Sequence, residues 1–185
     1  TNSSTLEPGL YSVNVTDGQQ LTPMKAAMYG LWGGAGDGKN YFCLLSSDYE
    51  GYQMAGLAVY DFEKGDFAFR STGIDYGCSD LTYDLSTQQM YGVVCREKGS
   101  KTASQLVTID LETGLRTQVA ELSDKIMAIA ADADGRLYAM SSASDLYRVN
   151  KQNGELTLIG TPGIVTLTDQ VQSMEFDRNN GKLYW

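Results

Sequence analysis

The chain has 185 residues, 42% of them hydrophobic and 20% charged, a balance that supports a folded domain and excludes a disordered one. Its net charge of −9 comes without any Lys/Arg cluster, which excludes a nucleic-acid footprint, and the absence of histidine excludes Ser-His-Asp and Cys-His catalysis and His-ligated metal centres. No run of 18 apolar residues exists, so no membrane-spanning helix is expected.

Residues 1–8 are polar and turn-prone and read as an N-terminal tether, of the kind left when an export signal or lipid anchor is removed. Residues 9–22 read as a hairpin: Tyr11 and Val13 alternate with polar neighbours, and Asp17-Gly18 is a turn signal. A different hairpin follows. Its first strand ends near Leu31, its turn is the glycine-rich stretch from Trp32 to Gly38, and its second strand runs from Lys39 to Leu45. Ser46 to Met54 reads as a long connection, and Gly56 to Ala68 returns to the first hairpin type. That type recurs at 105–117 and 145–157, and the second type ends at 89–93, 135–139 and 181–185.

Two internal markers give the period. Asn14, Asp61, Asp110 and Asn150 each stand four residues before a glycine (Gly18, Gly65, Gly114, Gly154). Tyr41, Tyr91, Tyr138 and Tyr184 recur at intervals of 50, 47 and 46 residues and are expected to pack between neighbouring repeats. Two short hairpins per repeat of this length, rich in Val, Ile, Thr and Tyr, describe a four-stranded propeller blade. The expected fold is therefore all-β, with strands A and B of each blade from the Leu-Tyr hairpin and C and D from the Asp-to-Gly hairpin. The repeat domain spans 9–185: a partial blade at 9–22, blades at 24–70, 78–120 and 125–160, and a partial blade at 170–185. The two partial blades are complementary halves. Either they join to close a four-bladed ring, or the chain is half of a larger or swapped ring; the stop at Leu183-Tyr-Trp185 without a capping tail favours the second.

The candidate site residues fall on one face. Asp75, Asp124 and Asp169 each precede a strand A, where the connections gather round the channel mouth, and three acids there would form a funnel for a cation such as calcium. On the same face lie the connection 46–54, with Tyr49 and Tyr52 as candidates for glycan or peptide contact, and the connection 96–104. The turn Asp132-Ala-Asp134-Gly135 falls short of a calcium loop, because no bidentate acid follows at the required distance. Of the three cysteines, Cys78 and Cys95 are expected on adjacent strands, with Asp80 opposite Cys95 and Cys78 diagonal to it, too far for a disulfide; all three read as small buried thiols. Trp32 is expected in a turn, folded over its own blade.

The segments Gly135-Arg-Leu-Tyr-Ala139, Leu146-Tyr-Arg-Val-Asn150 and Asn153-Gly-Glu-Leu-Thr-Leu-Ile-Gly160 resemble the YVTN and quinoprotein-dehydrogenase-like propeller repeats, in the versions common in secreted and surface proteins of Bacteroidetes-type bacteria. The resemblance covers about 9–185. It implies a propeller and a secreted, periplasmic or cell-surface location; it implies no single activity, since that superfamily hosts enzymes, adhesins and scaffolds. The acidic, Arg and Trp set that holds quinone and metal in the dehydrogenases has no counterpart here, nor has the sialidase Ser-x-Asp-x-Gly-x-Thr-Trp box.

The expected function is thus a non-catalytic binding or scaffold module docking a glycan or protein partner, with self-association through the terminal half-blades. The alternative is a metal-assisted, lactonase-like hydrolase using the Asp cluster. A calcium-holding funnel predicts a melting temperature that rises with added calcium and falls with chelator; no shift in either direction removes calcium from the reading.

Overall fold

The computed structural model describes residues 9–14, 16, 21–26, 30–49, 52–71, 78–95, 104–163 and 172–185. Those residues form sixteen strands and no helix. A two-stranded sheet, β1 (Gly9–Val13) and β2 (Leu21–Ala26), comes first. Three four-stranded antiparallel sheets follow. The first is β3 (Gly30–Gly36), β4 (Asn40–Tyr49), β5 (Tyr52–Asp61) and β6 (Asp66–Ser71). The second is β7 (Cys78–Asp84), β8 (Gln89–Cys95), β9 (Ser104–Ile109) and β10 (Arg116–Leu122). The third is β11 (Ile126–Ala131), β12 (Leu137–Ser141), β13 (Leu146–Val149) and β14 (Leu156–Gly160). A second two-stranded sheet, β15 (Glu175–Asp177) and β16 (Lys182–Tyr184), ends the chain's strands. The molecule is a β-propeller in which β3, β7, β11 and β15 are the inner strands of their blades. β7 packs between β3 and β11, and β15 packs on β11.

The recurring Asp or Asn is a turn device. In the turns after β5, β9 and β13 the side-chain oxygen accepts the amide two residues on: Glu63 to Asp61 at 2.9 Å, Glu112 to Asp110 at 2.9 Å, Gln152 to Asn150 at 2.9 Å. The glycine four residues on donates its own amide to the carbonyl of that residue, at 2.8 Å in the first turn and 2.6 Å in the second. It does so with φ of +63° at Gly65, +69° at Gly114 and +73° at Gly154, a region that favours glycine. Asn14 begins the same device, accepting the Thr16 amide at 2.9 Å.

The register differs from the expected one at three places. Phe42, rather than Tyr41, is equivalent to Tyr91 and Tyr138, since each stands opposite the residue two before the turn Asp or Asn: Val59, Thr108 and Arg148. All three join clusters that span two blades, Phe42 with Leu81 and Met90, Tyr91 with Leu137, and Tyr138 beside Phe176 with ring centroids 5.1 Å apart. Asp80 lies opposite Val93 rather than Cys95, because the turn closes on the Asp84–Gln89 pair, and a bulge between Cys78 and Asp80 then places Cys78 opposite Val94. Trp32 lies within β3 and not in a turn; the glycines after it let β3 approach its neighbours, since a Cβ on Gly33 would stand 2.8 Å from the Asp80 backbone. Cys43 is buried and Cys78 half-buried, both free, and burial pushes each thiol up to about 12. The Cys95 side chain lies outside the described residues.

The inner strands β7 and β11 are buried on both sides, and β11 reads Ile-Met-Ala-Ile-Ala-Ala with all six residues buried. β7 alternates apolar residues with Asp80 and Thr82, both fully buried. These two side chains, two residues apart, meet two amides of β11 that are also two apart. The Ile129 amide donates to Asp80 Oδ2 at 2.9 Å and the Ala131 amide to Thr82 Oγ1 at 2.8 Å. Asp80 also accepts the Met174 amide at 3.3 Å and the Ser173 hydroxyl at 2.9 Å. Burial pushes its carboxyl well above the usual range, against the opposing pull of these donors.

A second latch joins the same blades at their turns. The Lys151 ammonium donates to Asp84 Oδ2 at 2.6 Å, and Ser86 and Thr87 supply further donors. Burial opposes ionisation of Asp84, but the hydrogen bonds from Lys151, Ser86 and Thr87 outweigh it and hold the carboxyl at about 2.

Two outcomes follow. Asp80→Ala leaves two buried amides without an acceptor and is expected to lower unfolding free energy by about 2–6 kcal/mol in denaturant titration, while Asp80→Asn, which keeps an acceptor and a polar partner for Ser173, costs much less. Asp84 has a folded-state pKa below its unfolded value, so its contribution is present above about pH 4 and is lost as pH falls towards 2. The stability gap between the native chain and Lys151→Met is therefore expected to be largest near neutrality, on the order of 1–2 kcal/mol, and to close on acidification.

Candidate functional site

Within the segment 46–54, residues 46–49 and 52–54 are strand rather than loop. β4 and β5 are ten residues each, against seven and six for β8 and β9 and five and four for β12 and β13. Among the described residues β3 pairs with β4 as far as Ser46, and β6 with β5 as far as Gly56. β4 and β5 stay paired beyond those rungs, with Ser47 opposite Met54, Asp48 opposite Gln53 and Tyr49 opposite Tyr52 as the last described cross-strand pair. The β4–β5 pair is thus a long two-stranded ribbon. The connections on this face are those that join second to third strands and one blade to the next.

Asp124 belongs to the same face, in the connection between β10 and β11. Its Oδ2 accepts the Tyr147 hydroxyl at 2.9 Å and its Oδ1 the Lys125 amide at 3.0 Å. The carboxylate beside it pushes the Tyr147 phenol up to about 12. Asp75 and Asp169 lie outside the described residues, as does most of 96–104. Among the described residues no three Asp, Glu or Cys side chains gather as a metal site would require.

The β15–β16 turn lies at the opposite face, by the turns that join first to second strands. Arg178 donates to the Gly36 carbonyl at 3.3 Å and the Tyr83 carbonyl at 2.7 Å, so one guanidinium ties the final half-blade to two others. Glu175 Oε1 lies 3.6 Å from the same guanidinium and accepts the Phe176 amide at 3.1 Å. Burial pushes the Glu175 carboxyl up to about 7, with Arg178 pulling the other way. Burial likewise raises the Tyr41 phenol, reinforced by Cys43, Asp80 and Glu175.

Between β1, β3 and the start of the β15 segment lie two adjoining cavities of ≈ 370 and ≈ 350 Å³. Leu31, Trp32, Gly33 and Ser173 border both, and Gly9–Tyr11 and Tyr41 wall the second. Trp32 is 43% exposed there. Neither these cavities nor Asp80, Thr82, Ser173 and Arg178 were marked by sequence spacing. The one usable signal was the Asp80-x-Thr82 alternation in an otherwise apolar inner strand.

No protein-family model matches the chain, and no curated protein sequence matches it. Its fold has clear neighbours among solved structures. It is similar to a chain in the crystal structure of a nidogen/laminin complex, with a TM-score of 0.63 and 10% identity over 88% of this chain and 59% of that one. It is also similar to TolB from Acinetobacter baumannii, with a TM-score of 0.58 and 14% identity over 91% of this chain and 40% of that one. The chain therefore spans about three-fifths or less of these relatives. Likeness at this level of identity is likeness of fold, and it agrees with the strand order in identifying the chain as a β-propeller.

Proposed function

We propose that this propeller is a non-catalytic binding or scaffold module of an exported or cell-surface bacterial protein, and that it docks a glycan on the face bearing the β4–β5 ribbon. The observation that carries the reading is the ribbon itself: among the described residues it is longer than the corresponding strand pairs of the other blades, and its last pair is Tyr49 and Tyr52. Aromatic residues on a long strand pair of a rigid scaffold suit recognition of sugar rings or of peptide side chains. Asp75, Asp124 and Asp169 complete the proposed contact surface. The compartment, whether secreted, periplasmic or cell surface, rests on the resemblance of the repeats. Self-association through the terminal half-blades belongs to the same reading.

Support for a lactonase-like hydrolase is thin. Asp124 is engaged by Tyr147 and Lys125, and Asp80 has both oxygens occupied by Ile129, Met174 and Ser173. These are the bonds of structural acceptors rather than of a free base or a ligand set.

The test is a glycan microarray probed with the native chain and with Tyr49→Ala/Tyr52→Ala. The native chain is expected to retain a defined subset of glycans, and the double variant to lose at least tenfold in signal with an unchanged melting temperature. A folded double variant with the native profile overturns the ribbon as the contact surface, and an array empty for the native chain turns the reading to a protein partner.

A further inference from the structure

Glu175 and Arg178 join the final half-blade to the blades before it, and each holds a polar atom in reserve. Glu175 Oε2 and Arg178 Nε are buried and have no hydrogen-bond partner. The remaining polar atoms are engaged. Glu175 Oε1 accepts the Phe176 amide at 3.1 Å, while Arg178 Nη1 and Nη2 donate to the carbonyls of Gly36 and Tyr83 at 3.3 and 2.7 Å. Arg178 Nη2 stands 3.6 Å from Glu175 Oε1, which is an approach and not a formed bidentate pair.

A carboxylate oxygen that is buried without a donor is costly, whereas the neutral acid is much less so. The groups packed around Glu175 do little to relieve that cost. From β7, the Thr82 hydroxyl favours the ionised form, and burial outweighs both it and Arg178. From β4, the Tyr41 phenol feels the charges of Glu175 and Asp80. The Tyr83 phenol at the end of β7 feels Asp37, Arg178 and Asp84. β11 is apolar throughout, and behind the Phe176 ring Tyr138 donates its hydroxyl to Asp132. Asp177, in the same turn as Arg178, accepts the Asn179 amide and the Asn180 side chain. Among these groups Arg178 is the one cation, and its bonds go to carbonyls.

We propose that Glu175 and Arg178 form a proton-controlled latch on the β15–β16 half-blade. With Glu175 protonated, the guanidinium holds Gly36 and Tyr83 and fastens the half-blade to the first and second complete blades. When the proton leaves for solvent, Oε2 carries charge and needs a donor. Arg178 Nε is the free donor beside it. Turning the guanidinium to the carboxylate takes Nη1 and Nη2 from the two carbonyls and loosens the half-blade. The direction follows from burial, which lifts the Glu175 carboxyl from its ordinary 4.5 to about 7. The latch is therefore fastened below about pH 7 and is released as pH rises through it. Asp84, held at about 2, is ionised across this window and adds no pH dependence there.

Hydrogen exchange of the β15 and β16 amides, corrected for the intrinsic rate at each pH, reads the latch. In the native chain their protection is expected to fall about tenfold between about pH 6 and about pH 8, as linkage requires of a group at about 7 when docked and 4.5 when free. Glu175→Gln, neutral at every pH, is expected to keep the protection at both values, and Arg178→Met to lose it at both. Equal native protection at the two values overturns the latch. A fall that persists in Glu175→Gln assigns the titration to another group, Asp80 foremost, and overturns it as well. Native protection in Arg178→Met removes the guanidinium as the fastening. Should Glu175→Gln fail to fold, the carboxyl carbon shift of Glu175 in the native chain decides: a midpoint near 7 supports the latch, and one in the ordinary carboxylate range overturns it.

Discussion

The carboxyl group of Asp80 is the constraint on which the centre of the molecule depends. It lies on the innermost strand of the middle blade, fully buried, and takes the Ile129 amide from the next blade and the Met174 amide and Ser173 hydroxyl from the final half-blade. Propeller blades share no backbone ladder with one another, so inner strands at a blade boundary have amides to satisfy from elsewhere. Asp80 and Thr82 supply that need from side chains, in register with β11. The cost is a buried acid pushed towards its neutral form. The return is orientation: three segments distant in sequence meet at one group.

Two other charged groups show how the rest of the blades are tied. Asp84 is as buried as Asp80 but stays ionised, because Lys151 reaches it from the neighbouring blade. Arg178 works by a different route, spending its donors on the carbonyls of Gly36 and Tyr83. An acidic chain of net charge −9 thus places two of its few cations where they join blades.

What was legible in the sequence was local. The Asp or Asn four residues before a glycine is a turn whose hydrogen bonds lie within five residues, and its repetition disclosed the blades and their number. What was not legible depends on partners far away. The turn closes on the Asp84–Gln89 pair and so sets Asp80 opposite Val93 rather than Cys95, and a bulge between Cys78 and Asp80, which nothing in the local pattern marks, sets Cys78 opposite Val94. Trp32-Gly-Gly read as a turn because glycine is the usual turn residue, whereas here its missing side chain admits β3 against β7. Tyr41 and Tyr91 looked equivalent by spacing, yet hydrogen-bond register pairs Tyr91 with Phe42. The candidate face was read from loop length, and the described residues of 46–54 belong to paired strands instead, since β4 and β5 run on to Tyr49 and Tyr52. The Asp80 hub joins residues 49 and 94 positions apart, beyond any window of periodicity.

The alternation on β7 also bears on how far the repeats are interchangeable. By register the positions of Asp80 and Thr82 correspond in β11 to Ala128 and Ala130. Those two alanines form an apolar cluster with Met174. One blade boundary is therefore closed by side-chain hydrogen bonds and the next by packed methyl groups. The propeller has repeat symmetry in its backbone but a direction in its contacts, so a blade copied into its neighbour's place would bring the wrong chemistry to both of its faces.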